Sequence, residues 1–171
     1  HRKVEVINIS KPGWNTGREV YELERVGLKF KPDLIVLGYC LNDTESPWTD
    51  RRTRRYRRIT HYRKPEGVWS FLVKYSMFFR LLYKTKEDFR VKRGFIDYIN
   101  YIYSDKYSGW KDTDRAFYKL KELSIKNGFK VLVVIFPFLN YSFKSYPFKK
   151  AHRRVRQLCY KYSFPFLDLL P

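Results

Sequence analysis

The stretch Leu-Ile-Val-Leu-Gly-Tyr-Cys at residues 34–40 decides the fold, and Lys-Val-Leu-Val-Val-Ile-Phe at residues 130–136 repeats its character. Neither stretch alternates polar with apolar positions, which is typical of parallel strands covered on both faces. Segments with helical periodicity lie between them. Because strands that alternate with helices form a parallel sheet wrapped by helices, we predict an α/β fold with three layers, α/β/α.

Shorter elements are predicted around these two strands. The β-branched residues 4–9 indicate a strand that ends in a turn at residues 10–13. Asn15 or Thr16 can cap the helix that follows. Further helices are predicted at residues 68–83, 89–103, 112–127 and 149–162, and a last strand at residues 164–169.

One stretch breaks this pattern. Residues 44–64 follow neither the period of a strand nor that of a helix, and we predict a surface insertion there. The aromatic segments after it belong to the same insertion, which spans about residues 47–109. The rest of the chain, from residue 1 to residue 171, is predicted to form one domain around it.

The chain is strongly basic, with 36 Lys and Arg against 17 Asp and Glu and a formal net charge of +19. Such a charge favours polyanions, either nucleic acid or an anionic membrane surface. From Arg51 to Lys64, arginines are interleaved with tyrosines, which suits phosphate contacts and base stacking. A basic polyanion-binding protein is therefore one predicted function. The alternative is a solvated insertion without a partner.

Residues 68–83 combine aromatic and aliphatic side chains with Lys74 and Arg80. This composition suits a helix at a membrane interface. We favour the alternative, a lid or cap helix that packs on the core, because amphipathic helices mostly face cores. No apolar stretch reaches the roughly 20 residues of a membrane span, and no secretory signal opens the chain, so the compartment is left open.

Cysteines and histidines give no metal or redox signature. Cys40 and Cys159 are too few for a disulfide framework and too far apart for a metal site, and we predict that both are buried thiols. His61 and His152 lie in basic stretches without a carboxylate at a spacing that suggests a catalytic triad. Both are predicted to be surface histidines. No metal or organic cofactor is implied.

Two loops at the ends of predicted strands hold residues suited to catalysis. Gly13, in the first loop, lets the backbone N–H approach a bound group closely because no Cβ intervenes. Asn42 directly follows the strand at residues 34–40, where a side-chain amide can stabilise a developing oxyanion. Glycine and asparagine are also ordinary turn residues, so each loop taken alone is compatible with a simple turn.

Taken together, the two loops resemble the SGNH (GDSL-like) hydrolase family. The stretch VINISKPGWNTGREV resembles the second conserved block, whose glycine donates its N–H, and PDLIVLGYCLNDTES resembles the third, whose asparagine completes the oxyanion hole. The resemblance implies that Gly13 and Asn42 are catalytic residues of an oxyanion hole. Cys40 stands where the family has a glycine. The later stretches KVLVVIFPFLNYS and FPFLDLLP resemble strands of the same family.

The resemblance also implies a flavodoxin-like parallel sheet and the hydrolysis of an ester of unknown type. The family's first block, Gly-Asp-Ser, and its last block, Asp-x-x-His, have no counterpart in the sequence. Natural domains usually taper into polar termini, whereas this chain begins close to a predicted strand and ends after an apolar run. We therefore expect a partial domain that lacks its central first strand, the catalytic serine and the Asp–His pair, and that is inactive by itself.

Overall fold

The computed structural model of the chain describes residues 4–46 and 51–171, without the side chains of Arg52, Arg55 and Arg57. These residues form two compact units, one made of residues 4–46 and 102–171 and the other of residues 51–101. The second unit lies within the predicted insertion, whose residues 47–50 fall outside the described residues. The elements in chain order are α1 (Thr16–Arg25), a 3-10 helix (Gly27–Phe30), β1 (Leu34–Cys40), α2 (Arg51–Ile59), α3 (Val68–Tyr75), α4 (Met77–Ile102), α5 (Ser108–Asn127), β2 (Lys130–Phe136), α6 (Lys149–Lys161) and β3 (Phe166–Asp168).

The predicted α/β fold with an incomplete parallel sheet is confirmed. Three strands pair in the order β1-β2-β3, and both pairs are parallel. Leu34 faces Lys130 at one end of the register and Cys40 faces Phe136 at the other. The carboxyl ends of the strands therefore meet at one edge of the sheet, where sites form in open α/β folds.

The two faces of this sheet differ in exposure. Tyr39 and Ile135 are fully buried on one face, where the Tyr39 ring meets that of Phe117 in α5 at 6.1 Å between centroids. On the other face, Leu34 and Val36 are more than half exposed. The prediction that both strands are covered on both faces is thus wrong for the described residues. Successive side chains of a strand point to opposite faces, so a strand is buried on both faces only when another element packs on each of them.

The predicted strand at residues 4–9 is also wrong, since no strand is formed there. Val4 and Val6 are 82% and 87% exposed, and only Ile9 lies close to another element, beside Gly27. A β-branched sequence gains from a strand only when a neighbouring strand accepts its hydrogen bonds and packs against its side chains. No such neighbour lies beside residues 4–9 within the described part of the chain.

Local capping signals set the ends of two helices as predicted. Asn15 caps α1, and its Oδ1 accepts a hydrogen bond from the backbone N–H of Arg18 at 2.9 Å. Gly128 ends α5 with a left-handed φ of 76°, which only glycine adopts without a steric cost. The start of α5 differs, because the helix begins at Ser108 rather than at residue 112.

The unit of residues 51–101 contains a helix that the sequence pattern does not indicate, since residues 51–59 form α2. The helix predicted at residues 68–83 is wrong in part, because it is divided at Ser76 into α3 and the start of α4, and α4 continues through the second predicted helix to Ile102. Arg90 of α4 binds the segment at the end of α2, because it donates to the backbone carbonyls of Ile59 and His61 at 2.7 and 2.6 Å. Buried Glu87 orients this guanidinium through hydrogen bonds of 3.0 and 2.5 Å, and Arg90 in turn lowers the pKa of Glu87. None of the helices in the described residues is long and apolar enough to cross a membrane.

Candidate functional site

The loops that carry Gly13 and Asn42 are tied together by Asn15. The Asn15 side chain donates from Nδ2 to the backbone carbonyl of Glu45 at 2.8 Å, while its Oδ1 caps α1. One amide therefore fixes the start of a helix and links the Gly13 loop to the Asn42 loop, across 30 residues of sequence. Gly13 adopts a φ of 83°, which favours glycine, and a Cβ there would meet nothing within 4 Å.

Asn42 lies in a tight turn that presents its side chain to solvent. The Asp43 carboxylate accepts a hydrogen bond from the N–H of Cys40 at 2.7 Å, and the Asp43 N–H donates to the Cys40 carbonyl at 2.9 Å. This double link closes the turn around Asn42 and buries Asp43, which is 7% exposed. Asn42 is exposed, and its amide makes no hydrogen bond within residues 4–46 and 51–171.

The first turns of α5 hold the same loop from the other side. Thr113 Oγ1 donates to Thr44 Oγ1 at 2.8 Å, and the Ser46 N–H donates to the hydroxyl of Tyr107 at 2.9 Å. Gly109 lies so close that a Cβ there would stand 2.5 Å from the Thr44 carbonyl oxygen. The position of the loop thus depends on a glycine that lets a helix approach a backbone carbonyl.

The buried side of this turn is acidic. Burial raises the pKa of Asp43 to about 7, with a further increase from the negative charges of Glu19 and Glu45. Burial also raises the pKa of Glu19. The prediction of a buried Cys40 is wrong: the residue is exposed, because it lies on the open face of β1. Partial burial, Asp43 and Glu19 all raise the pKa of its thiol, which makes it a poor nucleophile.

We expect Asp43→Asn to remove a pH dependence of stability. Between about pH 4 and about pH 7 the unfolded chain loses the Asp43 proton while the folded chain keeps it, so folding becomes less favourable as the pH rises. The variant keeps an acceptor for the Cys40 N–H and should be more stable than the wild type above pH 7, by roughly 2 kcal/mol. At about pH 4 the two should melt together.

Thermal melts across this range check the expectation for Asp43. Asp33→Asn, at an exposed position in the same unit, serves as the matched control and should leave the pH profile unchanged. A wild-type profile that rises steadily from acid to neutral pH, and that Asp43→Asn reproduces, would contradict the assignment of a buried, protonated carboxyl.

The prediction of a surface His152 is wrong, although His61 is exposed as predicted. His152, in α6, is fully buried, and its Nδ1 lies 2.7 Å from Oδ1 of Asp168 at the end of β3. Its Nε2 lies 3.4 Å from the hydroxyl of Tyr146, which accepts a hydrogen bond from the N–H of Phe138. Both ring nitrogens are thus engaged, and the group acts as a buried clamp between α6, β3 and the loop after β2.

Burial lowers the pKa of His152 more than the nearby Asp168 carboxylate raises it. A neutral ring then donates from Nδ1 to Asp168 and accepts from Tyr146 at Nε2. This arrangement leaves no nitrogen for a substrate. Among the described residues, no group of three or more His, Cys, Asp or Glu side chains could hold a metal ion.

The basic segment from Arg51 to Lys64 forms a second feature, in the other unit. Arg51, Arg54 and Arg58 are spaced three and four residues apart on α2, which places them on one face of the helix. Together with Ile59 and Arg63 they line a cleft of about 430 Å³. We call it the arginine cleft, and no carboxylate of the described residues lines it.

Three positioning residues of the candidate site carried weak sequence signals. Asn15 was predicted only as a helix cap, and its link to Glu45 depends on tertiary structure. Gly109 lies between two predicted helices and has no sequence signal beyond its residue type. Asp43 follows Asn42 directly, and an Asn-Asp pair indicates a turn without showing which side chain is buried.

Gly13 and Asn42 thus lie on linked loops at the carboxyl edge of the sheet. His152 is bound to Asp168 at the carboxyl end of β3, and the arginine cleft belongs to the other unit. Comparison of the chain with protein-family models, with curated proteins and with solved structures gave no match. The donors and charges of the molecule itself are therefore what indicates its function.

Proposed function

We propose that this chain supplies the oxyanion-binding loops of a serine ester hydrolase. The observation that carries the proposal is the Asn15–Glu45 hydrogen bond of 2.8 Å, which couples the Gly13 loop to the Asn42 loop. Each loop offers a donor without a partner in the described residues, the N–H of Gly13 and the amide of Asn42. Fixed donors of this kind stabilise negative charge that develops on a carbonyl oxygen.

The chemistry is acyl transfer from an ester. A serine attacks the carbonyl carbon, a histidine accepts the serine proton, and the carbonyl oxygen becomes an oxyanion that Gly13 and Asn42 bind. We assign neither the serine nor the histidine to residues of this chain, since His152 is buried and both its nitrogens are engaged. The chain by itself is therefore expected to bind oxyanions and not to hydrolyse esters.

Titration with diethyl phosphate, a singly charged tetrahedral anion, tests the donors by amide NMR. We expect the backbone N–H of Gly13 and the side-chain amide of Asn42 to shift together as the anion binds. Asn42→Ala should weaken this binding by about tenfold, because a hydrogen bond to a charged acceptor contributes about 1.5 kcal/mol or more. Asn140→Ala, at another exposed asparagine, is the matched control.

The same spectra report where else the anion binds. Shifts confined to the arginine cleft, with Gly13 and Asn42 unchanged, would contradict the proposal. So would an affinity for the Gly13 loop that Asn42→Ala leaves intact, because the two donors are proposed to hold one oxygen.

A further inference from the structure

The unit of residues 51–101 exposes a large apolar surface. None of the eight residues of α3 is buried. On α4, Phe78, Leu82 and Phe89 share one face by their spacing of four and seven residues. Seven large side chains are each 63% to 75% exposed and make up what we call the apolar surface: Val68, Phe71, Tyr75, Met77, Phe78, Leu81 and Phe89. Seven large exposed apolar side chains on two consecutive helices indicate an interaction site.

Positive charge surrounds this apolar surface. Residues 47–101 hold 15 Lys and Arg against five Asp and Glu, a net charge of +10, which is more than half of the total for the chain. Lys74, Arg80 and Lys84 are exposed and alternate with the apolar side chains along the two helices. One of the five acids, Glu87, is already paired with Arg90. The surface is therefore complementary to an anionic partner with an apolar interior.

The arginine cleft favours a bound anion for a separate reason. Six of the nine residues of α2 are arginines, and the helix contains no acid. Like charges three and four residues apart destabilise a helix, so bound phosphate would relieve the repulsion among Arg51, Arg54 and Arg58.

A second cleft of about 520 Å³ connects this cationic region to α3. It shares Arg63 with the arginine cleft, and its lining contains the basic residues Lys64, Lys86 and Arg90, the carboxylates Glu66 and Glu87, and the rings of Trp69 and Tyr83. The Lys86 Nζ lies 5.2 Å from the centre of the Trp69 ring. Tryptophan is enriched at the boundary between lipid headgroups and acyl chains, and lysine is attracted to anionic headgroups.

We infer that residues 51–89 form a docking surface for an anionic lipid bilayer. The apolar side chains of α3 and α4 enter the boundary between headgroups and acyl chains, while the arginine cleft binds headgroup phosphates. A nucleic acid would satisfy the arginines but would leave Phe71, Phe78 and Leu81 in water. The lipid surface is therefore the partner that accounts for both features, and this inference is independent of the proposed hydrolase.

Co-sedimentation with vesicles tests the inference. The full chain should bind vesicles of phosphatidylcholine with phosphatidylglycerol and not vesicles of phosphatidylcholine alone. Phe71→Ser combined with Phe78→Ser should weaken binding by at least about tenfold, since each ring loses its apolar burial. Arg54→Ala combined with Arg58→Ala should weaken it by a similar factor, because each basic residue near an anionic surface contributes about fivefold. Ile125→Ser, 71% exposed on α5, is the matched control and should bind like the wild type.

Two further measurements separate the alternatives. If the chain binds single-stranded DNA but no vesicles, the partner is a nucleic acid and the inference is wrong. If the chain is a dimer that the two Phe substitutions convert to a monomer while vesicle binding is unchanged, the apolar surface pairs with a second copy and the inference is also wrong. All substituted positions are exposed, and circular dichroism confirms that each variant is folded before binding is measured.

Discussion

Gly109→Ala is expected to lower the melting temperature by about 6 °C, which corresponds to roughly 2 kcal/mol for a chain of this size. A Cβ at Gly109 would lie 2.5 Å from the Thr44 carbonyl oxygen and 2.5 Å from a ring carbon of Tyr107. A backbone carbonyl cannot rotate away as the end of a long side chain can. Either α5 or the loop after β1 must therefore shift, and the Thr113–Thr44 hydrogen bond breaks with that shift.

Gly17→Ala is the matched control for this substitution. Gly17 lies in α1, and a Cβ there would be 3.5 Å from Asn15 Oδ1, an ordinary contact. Alanine at a helical glycine should stabilise the chain by up to about 1 kcal/mol. The two glycine-to-alanine changes are thus expected to act in opposite directions in a thermal melt. Equal melting temperatures for Gly109→Ala and the wild type would show that α5 does not hold the Asn42 loop.

His152→Ala should destabilise the chain by about 3 kcal/mol at neutral pH. The substitution leaves a cavity in a fully buried position and deprives the Asp168 carboxylate of its 2.7 Å partner. Leu170 still donates its N–H to Asp168 at 3.0 Å, and Arg156 lies 3.6 Å away, so the carboxylate keeps part of its hydrogen bonding. Asp168→Asn should cost less, since its side-chain oxygen can still accept from Nδ1.

The cost of His152→Ala should shrink in acid. Because burial lowers the pKa of His152 in the folded chain, the unfolded chain takes up a proton first as the pH falls, and the wild type loses stability below about pH 6.5. Alanine has no group that binds a proton, so the difference in the free energy of unfolding between His152→Ala and the wild type becomes smaller. Chemical denaturation at about pH 8 and about pH 5 measures this difference in free energy at each pH, with exposed His61→Ala as the control. A difference that widens in acid would mean that His152 is protonated in the folded chain.

Local sequence determined most of the secondary structure of the described residues. β1 and β2 are apolar over seven residues, and both form at the predicted positions. Asn15 and Gly128 set helix ends through hydrogen bonds and dihedral angles that involve only near neighbours. The strand predicted at residues 4–9 does not form. A strand needs a neighbouring strand to pair with, and its own sequence does not specify that neighbour.

Helix α2 was not predicted from the sequence. Its stretch RRTRRYRRI has almost no apolar residues, so no hydrophobic period could indicate a helix. In the same unit, residues 68–83 were predicted to pack on the core as a lid or cap helix, and this prediction is wrong for α3, none of whose residues is buried. The exposure of Phe71 and Phe78 became visible only in the folded chain.

The sequence alone thus determined β1 and β2, most of the helices and the two loops that carry Gly13 and Asn42. Tertiary structure decided which side chains are buried and which distant residues meet: Asn15 with Glu45, Thr44 with Thr113, and His152 with Asp168. The physical reason is the range of the forces involved. Periodicity and capping act over one or two helical turns, whereas these contacts arise when the parallel sheet brings its carboxyl ends and the neighbouring helices to one edge.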